Sequence, residues 1–206
     1  MAKNTSGLVL VGGLAAAAAA ALWSRKASAS TRSSGAGPEP APGDYPPVPV
    51  GLDAIRRQFG DIIVTGYNAK GRDGEITSPA GWEAKNMIGI TLPNGIRVYC
   101  NRQISRQLYA AVDESMKRFP HYPITKIGCF NPRVKASGPG QGPKQSLSLH
   151  SWGVAVDVND DGNAMGTAGT LPHGFPEVWE AIGWVWGGRW SGASRDPMHF
   201  QWAKGY

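Results

Sequence analysis

The chain has 206 residues, of which 41% are hydrophobic, and it carries a formal net charge of +6 at pH 7. This size leaves room for one globular domain with appendages, and this apolar content is sufficient to close a core. The positive charge favours an anionic partner. The basic residues are scattered, however, and the sequence has no zinc-finger or RNA-binding signature, which argues against a nucleic-acid-binding protein.

Residues 1–26 have the pattern of an export or anchoring segment. One early lysine precedes an apolar run from Gly7 to Trp23, and Ser24-Arg25-Lys26 follows this run. The run is at the short limit for spanning a bilayer, and the small residues at 27–30 could form a cleavage site. Three interpretations stay open: a cleaved signal peptide, a retained membrane tether through residues 7–23, and a buried Ala-rich helix. We expect an exported or membrane-anchored protein outside the cytoplasm. A Gly/Ala-rich anchor is also similar to the signal-anchor-release segments of some phage endolysins, which adds a phage lysis or virion-associated protein as an alternative.

The next part of the chain divides into a linker and a region without motifs. Residues 27–50 are rich in Ser, Gly and Pro and predict a linker, because they cannot bury enough apolar surface to become ordered. Residues 51–99 form the N-terminal part of the globular region, and no motif in them indicates a role. Cys100 and Cys129 fit no metal-binding spacing. A disulfide of an exported protein and a pair of buried thiols are both open.

The second half of the chain mixes short β-rich and helical patterns. Asn94-Gly95 between two β-rich runs is typical of a β-hairpin. A helix is predicted from Ile104 to Phe119, before Pro120, by an apolar stripe that we expect in the core: Ile104, Leu108, Val112, Met116 and Phe119. Strands are predicted at 124–130, 153–158 and 198–202, and a helix at 175–184. Because strands and helices do not alternate as regular βαβ units, we predict an α+β domain.

One predicted strand carries a charge where a purely structural strand would not need one. If residues 153–158 are extended, their three valines share one face, whereas Gly153, Ala155 and Asp157 share the other. The valines supply a core face, and the two small residues leave space beside the carboxylate. His150, in the turn just before the strand, can reach the same space. That space could hold a metal ion, and a buried aspartate that caps a turn and hydrogen-bonds the histidine is the alternative.

The last predicted strand supplies a second histidine. In residues 198–202 the apolar side chains alternate with His199 and Gln201, so His199 points away from the core. Two histidines and one carboxylate, with a fourth position open, are the composition of a catalytic zinc site. Asp196, in the preceding turn, could take a proton from an attacking water and return it to a leaving amine. This chemistry is that of amide hydrolysis.

Two motifs resemble those of one enzyme family. "SLHSWGVAVDVN" (148–159) is similar to S-x-H-x-x-G-x-A-x-D, and "IGWVWGGRWSGASRDPMHFQW" (182–202) to W-G-G-x-W…D-x-x-H-F. Both belong to the zinc D-alanyl-D-alanine carboxypeptidase and L-alanyl-D-glutamate peptidase family, and the resemblance covers roughly residues 100–206. It implies a zinc peptidase domain over 100–206 with a hedgehog/D,D-peptidase-like fold, in which a small antiparallel sheet with flanking helices carries the ligands.

Carried over residue by residue, the resemblance implies that His150, Asp157 and His199 bind Zn²⁺ and that Asp196 is the general base. The family places Glu at this base position in carboxypeptidases that cleave dipeptides and Asp in many endopeptidase-type members. The aspartate therefore favours an endopeptidase.

Three further residues are expected at the substrate. Ser148 matches the motif's serine, and a hydroxyl that caps a turn is the alternative for it. Arg133 resembles the family arginine that binds a substrate carboxylate or the developing oxyanion. Trp152 could form an apolar wall of the cleft or could pack in the core.

We therefore expect a monomeric zinc peptidase that cuts the stem peptides of bacterial peptidoglycan, of the L-alanyl-D-glutamate endopeptidase type. The alternatives are a D,D-carboxypeptidase acting on terminal D-Ala and a non-catalytic wall-binding or virion structural module of the same fold. We expect no nucleic-acid partner.

Overall fold

The computed structural model describes residues 45–64, 76–135 and 146–206, which lie in one compact unit, Pro38–Tyr206. The predicted export segment and all of the linker before Tyr45 lie outside the described residues. Within the described ranges, no helix is both long enough and apolar enough to cross a membrane. The apolar run at 7–23 is not part of those ranges.

The region without motifs begins with helix α1, Leu52–Phe59, followed by the short strands β1, Ile63–Val64, and β2, Ile76–Thr77. Asp53 in the first turn of α1 and arginines in its last turn complement the helix dipole. The helix buries Ile55 and Phe59 in the same core as the rest of the described residues. The indole N–H of Trp82 donates to the carbonyl of Phe59 (2.8 Å), which holds the end of the helix.

The predicted hairpin is confirmed. After the short helix α2, Trp82–Asn86, strands β3, Met87–Thr91, and β4, Arg97–Asn101, pair antiparallel. Gly95 takes a φ of +84° in the connecting turn, a conformation that costs glycine little because it has no Cβ.

The two predicted helices are also confirmed. Helix α3, Ser105–Arg118, follows a 3₁₀ turn at Arg102–Ile104, and helix α4, Phe175–Ile182, has Pro176 in its first turn. The two helices pack together, and the indole N–H of Trp179 donates to the hydroxyl of Ser115 (3.0 Å). Met116 differs from the prediction, because it is 39% exposed rather than part of the core.

A four-stranded antiparallel sheet completes the fold, with strands in the order β5-β6-β8-β7. These strands are β5, Ile127–Gly128; β6, Ala155–Val158; β7, Val185–Trp186; and β8, His199–Gln201. Short 3₁₀ turns occur at Leu149–Trp152, Gly187–Arg189 and Gly192–Ser194. In the register of β6 and β8, Asp157 lies directly opposite His199. The predicted α+β class, with small antiparallel sheets and a few helices, is confirmed.

Gly153 does not have the role that the strand pattern predicted. It ends the 3₁₀ turn with a φ of +64° instead of belonging to β6. A Cβ at this position would lie 2.9 Å from the backbone nitrogen of Asn101 and 2.5 Å from Cε of Met87. The prediction that Gly153 leaves space for a metal was wrong, because the β3–β4 hairpin fills that space.

Candidate metal centre and cleft

The three predicted zinc ligands come together from three elements. His150 lies in the 3₁₀ turn, Asp157 on β6 and His199 on β8, and one ligand atom from each lies within 4.8 Å of the others. Both histidines are buried, with 2% exposure for His150 and 7% for His199. The Asp157 side chain is 20% exposed.

One oxygen of Asp157 joins the two imidazoles. Oδ1 lies 3.2 Å from Nε2 of His150 and 3.1 Å from Nδ1 of His199, and these two nitrogens are 3.3 Å apart. On its other side, Nδ1 of His150 lies 2.7 Å from the carbonyl oxygen of Cys129. A carbonyl oxygen can only accept, so Nδ1 donates and Nε2 is the nitrogen left to face the cluster.

The electrostatics of the cluster favour a positive charge at its centre. Burial raises the pKa of Asp157, but the hydrogen bonds with both histidines outweigh it and hold this pKa far below its usual range. Burial lowers the pKa of His150. Burial also lowers the pKa of His199, but the hydrogen bond and charge of Asp157 outweigh it, so this pKa is raised. An ionised carboxylate with two imidazole nitrogens is a donor set that fits Zn²⁺.

Asp196 lies beside this cluster as a buried carboxylate with an unsatisfied oxygen. The residue is 4% exposed, and its Oδ1 has no hydrogen-bond partner among the described residues. Burial, with the charge of Asp157 adding to it, raises the pKa of Asp196 to about 6. A buried acceptor without a partner costs stability, which indicates that a ligand or water supplies the missing donor.

Asp196→Asn is expected to stabilise the metal-free protein at neutral pH. The pKa of Asp196 rises from an ordinary value of 3.8 to about 6 on folding, so the folded state binds this proton more tightly. Ionisation therefore costs stability as the pH rises from about 4 to about 6, and the full cost remains above that range. The variant should gain roughly 2 to 3 kcal/mol over the wild type near pH 7 and nothing below about pH 4. Urea unfolding in the presence of a chelator, from about pH 4 to about pH 7, measures the free energy of unfolding of both proteins. The same pH dependence of this free energy in the two proteins would contradict the prediction.

Four predicted site residues line one open cleft: Arg133, Ser148, Asp196 and His199. Arg133 reaches the metal cluster, since its Nη2 lies 4.0 Å from Oδ2 of Asp157. The backbone N–H of Ser148 donates to the carbonyl of Arg133 (2.9 Å), which holds the arginine segment beside the cleft. The hydroxyl of Ser148 also accepts from the backbone N–H of His150 (3.4 Å), so this residue both caps the turn and borders the cleft.

Trp152 is not among the described residues that line the cleft. Its side chain is fully buried, and its indole N–H donates to the carbonyl of Gly60 (2.8 Å). Of the two roles considered for Trp152, the structure therefore gives it packing in the core rather than substrate contact. Trp190 borders the cleft instead, with its ring centroid 5.4 Å from that of His199.

The sequence interpretation missed several side chains at the cleft. Gln201 lies there, and its alternation with Phe200 on the last strand was the available signal. Lys135 and Tyr206 also line the cleft, with Nζ of the lysine 3.6 Å from the tyrosine ring centroid. Neither residue lies in a sequence pattern that predicts its position at the cleft. Cys100 and Cys129, for which two states were open, are both buried free thiols in the structure.

Comparison with known families agrees with this geometry. A model of the family described as D-alanyl-D-alanine carboxypeptidase matches residues 141–202. No curated protein and no solved structure matches the chain. The matched segment contains all three residues of the metal cluster and Asp196, whereas Arg133 precedes it. Over residues 141–202, the match confirms the resemblance of this chain to a D-alanyl-D-alanine carboxypeptidase family.

Proposed function

We propose that the protein is a zinc-dependent peptidase that hydrolyses peptide bonds in bacterial peptidoglycan and acts as an L-alanyl-D-glutamate-type endopeptidase. One observation carries the proposal: Asp196, a buried carboxylate whose Oδ1 has no hydrogen-bond partner among the described residues, lines the same cleft as His199, one of the three clustered residues. A structural polar cluster would not need that second, unsatisfied acid.

The three clustered residues would hold the metal ion. When bound, zinc supplies Lewis-acid chemistry that polarises an amide carbonyl and makes water more acidic. These residues suit zinc because of their donor atoms. Two imidazole nitrogens and one carboxylate oxygen would leave a fourth position for water or substrate.

Asp196 would act as the general base and then as the general acid. Its carboxylate would accept a proton from the attacking water and deliver it to the nitrogen of the leaving amine. Its pKa of about 6 is close to neutral pH, where a carboxylate that must both accept and donate a proton works best. The buried position of the carboxylate limits competition from bulk water.

Arg133 would bind negative charge on the substrate. Its side chain is 31% exposed, so the guanidinium can meet a ligand in the cleft while it stays close to Asp157. A substrate carboxylate or the oxyanion that develops on the carbonyl would suit it. Ser148 would border the bound peptide on the same side.

Two other functions are alternatives to the endopeptidase. The description of the matching family favours a D,D-carboxypeptidase that removes a terminal D-Ala. Asp196 argues against a carboxypeptidase, because the resemblance associates an aspartate at this position with endopeptidases. A non-catalytic wall-binding or virion structural module would keep the fold and metal, but it would not need the buried acid.

We also propose the wider organisation of the chain. Residues 1–26 would act as an export signal or membrane tether, 27–50 as a linker, 51–99 as a support for the site and 100–206 as the peptidase domain, with a hedgehog/D,D-peptidase-like arrangement. The peptidase would then act as a monomer outside the cytoplasm. Residues 51–99 suit a supporting role, since Met87 on β3 packs against Gly153, three residues from His150.

Mass spectrometry of defined peptidoglycan fragments tests the activity. The full-length protein is incubated with the fragments in the presence of zinc or of a chelator. New peptides with an amino-terminal D-Glu, released only with zinc, are the expected result. Loss of one terminal D-Ala would establish the carboxypeptidase instead. Intact fragments after incubation with folded, zinc-loaded protein would favour the non-catalytic module.

A further inference from the structure

Gln201 makes two directed hydrogen bonds beside the metal cluster. It lies two residues after His199 on β8, on the same face of the strand, and is 4% exposed. Its side-chain Nε2 donates to the carbonyl of Ala203 (2.9 Å), and its Oε1 lies 3.1 Å from Nε2 of His199. The bond to Ala203 fixes the orientation of the amide, because an Nε2 donor and not an oxygen must face a carbonyl.

This orientation determines which nitrogen of His199 carries the hydrogen. The amide oxygen of Gln201 can only accept, so Nε2 of the imidazole must donate to it. Metal binding requires the neutral imidazole, whose one N–H is then on Nε2 and whose Nδ1 has the lone pair. That nitrogen is the one that faces the cluster, 3.1 Å from Oδ1 of Asp157 and 3.3 Å from Nε2 of His150.

Each histidine turns a nitrogen lone pair toward the cluster, but the acceptor of its N–H differs. A main-chain carbonyl, that of Cys129, accepts from Nδ1 of His150 (2.7 Å), whereas a side chain accepts from His199. Histidines that bind metals usually donate their second N–H to such an acceptor, which orients the ring and raises the basicity of the binding nitrogen. Only the acceptor for His199 can be removed by a substitution.

We propose that Gln201 is a positioning residue that holds His199 in the Nε2–H tautomer and so sets the zinc affinity of the cluster. The proposal rests on the proposed function in that it takes the bound ion to be zinc. Gln201 does not bind the metal itself, since its Oε1 is engaged by the far side of the imidazole ring.

Zinc affinity of the full-length protein tests this role through competition with a chromophoric chelator. Gln201→Leu should weaken zinc binding about 10- to 100-fold, because it removes the acceptor. Gln201→Glu keeps an acceptor for the His199 N–H and should restore most of the affinity. Gln107→Leu is the matched control. It removes another fully buried glutamine amide, whose Nε2 donates to the carbonyl of Gln103 in the 3₁₀ turn before α3, and it should leave the affinity unchanged.

A second measurement does not depend on how well the variants fold. Nitrogen-15 NMR of the zinc-loaded wild type should show His199 coordinated through Nδ1 with its proton on Nε2. Coordination through Nε2 would overturn the proposal. So would wild-type affinity in Gln201→Leu, or an equal loss of affinity in Gln107→Leu.

These readouts separate the two proposals. A wild-type protein that binds no zinc overturns both. If the wild type binds zinc tightly but cleaves no peptidoglycan fragment, the proposed function fails, whereas an affinity loss confined to Gln201→Leu still supports the positioning role.

Discussion

Changing Asp196 to Asn is expected to lower kcat for peptide hydrolysis at least about 10²-fold, with stoichiometric zinc retained in the protein. Asn has nearly the same shape as Asp, but it cannot accept a proton from water or return one to the leaving amine. The cluster of His150, Asp157 and His199 does not include Asp196, so the metal should stay bound. Because proton transfer belongs to the transition state, the loss should fall on kcat rather than KM.

Asp161→Asn provides the matched control for this substitution. The Asp161 side chain is 92% exposed and lies 3.7 Å from Lys126, away from the cleft. Removing its charge should leave kcat unchanged. Near-normal turnover in Asp196→Asn would remove this residue from the reaction, and a loss of zinc together with activity would place it in the metal site instead.

The strand pattern predicted the cluster in part, because alternation on β6 and β8 is a local property. Val156 and Phe200 point into the core, and Asp157 and His199 point the other way, as a period of two requires. Alternation does not reveal which strands pair or in which register. The donor composition and the family resemblance both suggested that Asp157 and His199 meet, but their direct opposition in the sheet is a tertiary feature that neither gave.

Two errors in the sequence interpretation have geometric causes. A stripe of every fourth residue rotates by about 40° per step around a helix with 3.6 residues per turn. Met116 is the third step from Ile104 and has therefore turned to the surface, while Ala111 and Ser115 occupy the buried face. Gly153 continued the strand pattern in the sequence, but a φ of +64° makes it the end of a turn.

The remaining differences depend on distant contacts. Helix α1 was not predicted, because two turns with Ile55 and Phe59 as its buried residues are too short to give a clear period. Its position depends on the indole of Trp152, which is 92 residues away from the Gly60 carbonyl in sequence. The same distant bond draws Trp152 into the core and away from the substrate cleft.

Asp157→Asn is expected to weaken zinc binding by more than about 100-fold, since losing residues that only support metal ligands already costs 10- to 100-fold. The substitution keeps the shape of the side chain but removes the charge that Oδ1 places between His150 and His199. Two neutral imidazoles alone would not offset the cost of stripping water from a divalent cation.

Thermal unfolding with and without zinc measures this effect on folded protein. An ion that binds only the native state raises Tm in proportion to the logarithm of its concentration over Kd. Added zinc should therefore raise the Tm of the wild type and of Asp113→Asn, a control that removes a carboxylate paired with Lys117 on α3. It should leave the Tm of Asp157→Asn almost unchanged. A full zinc-dependent shift in Asp157→Asn would exclude Asp157 as a ligand on which zinc binding depends.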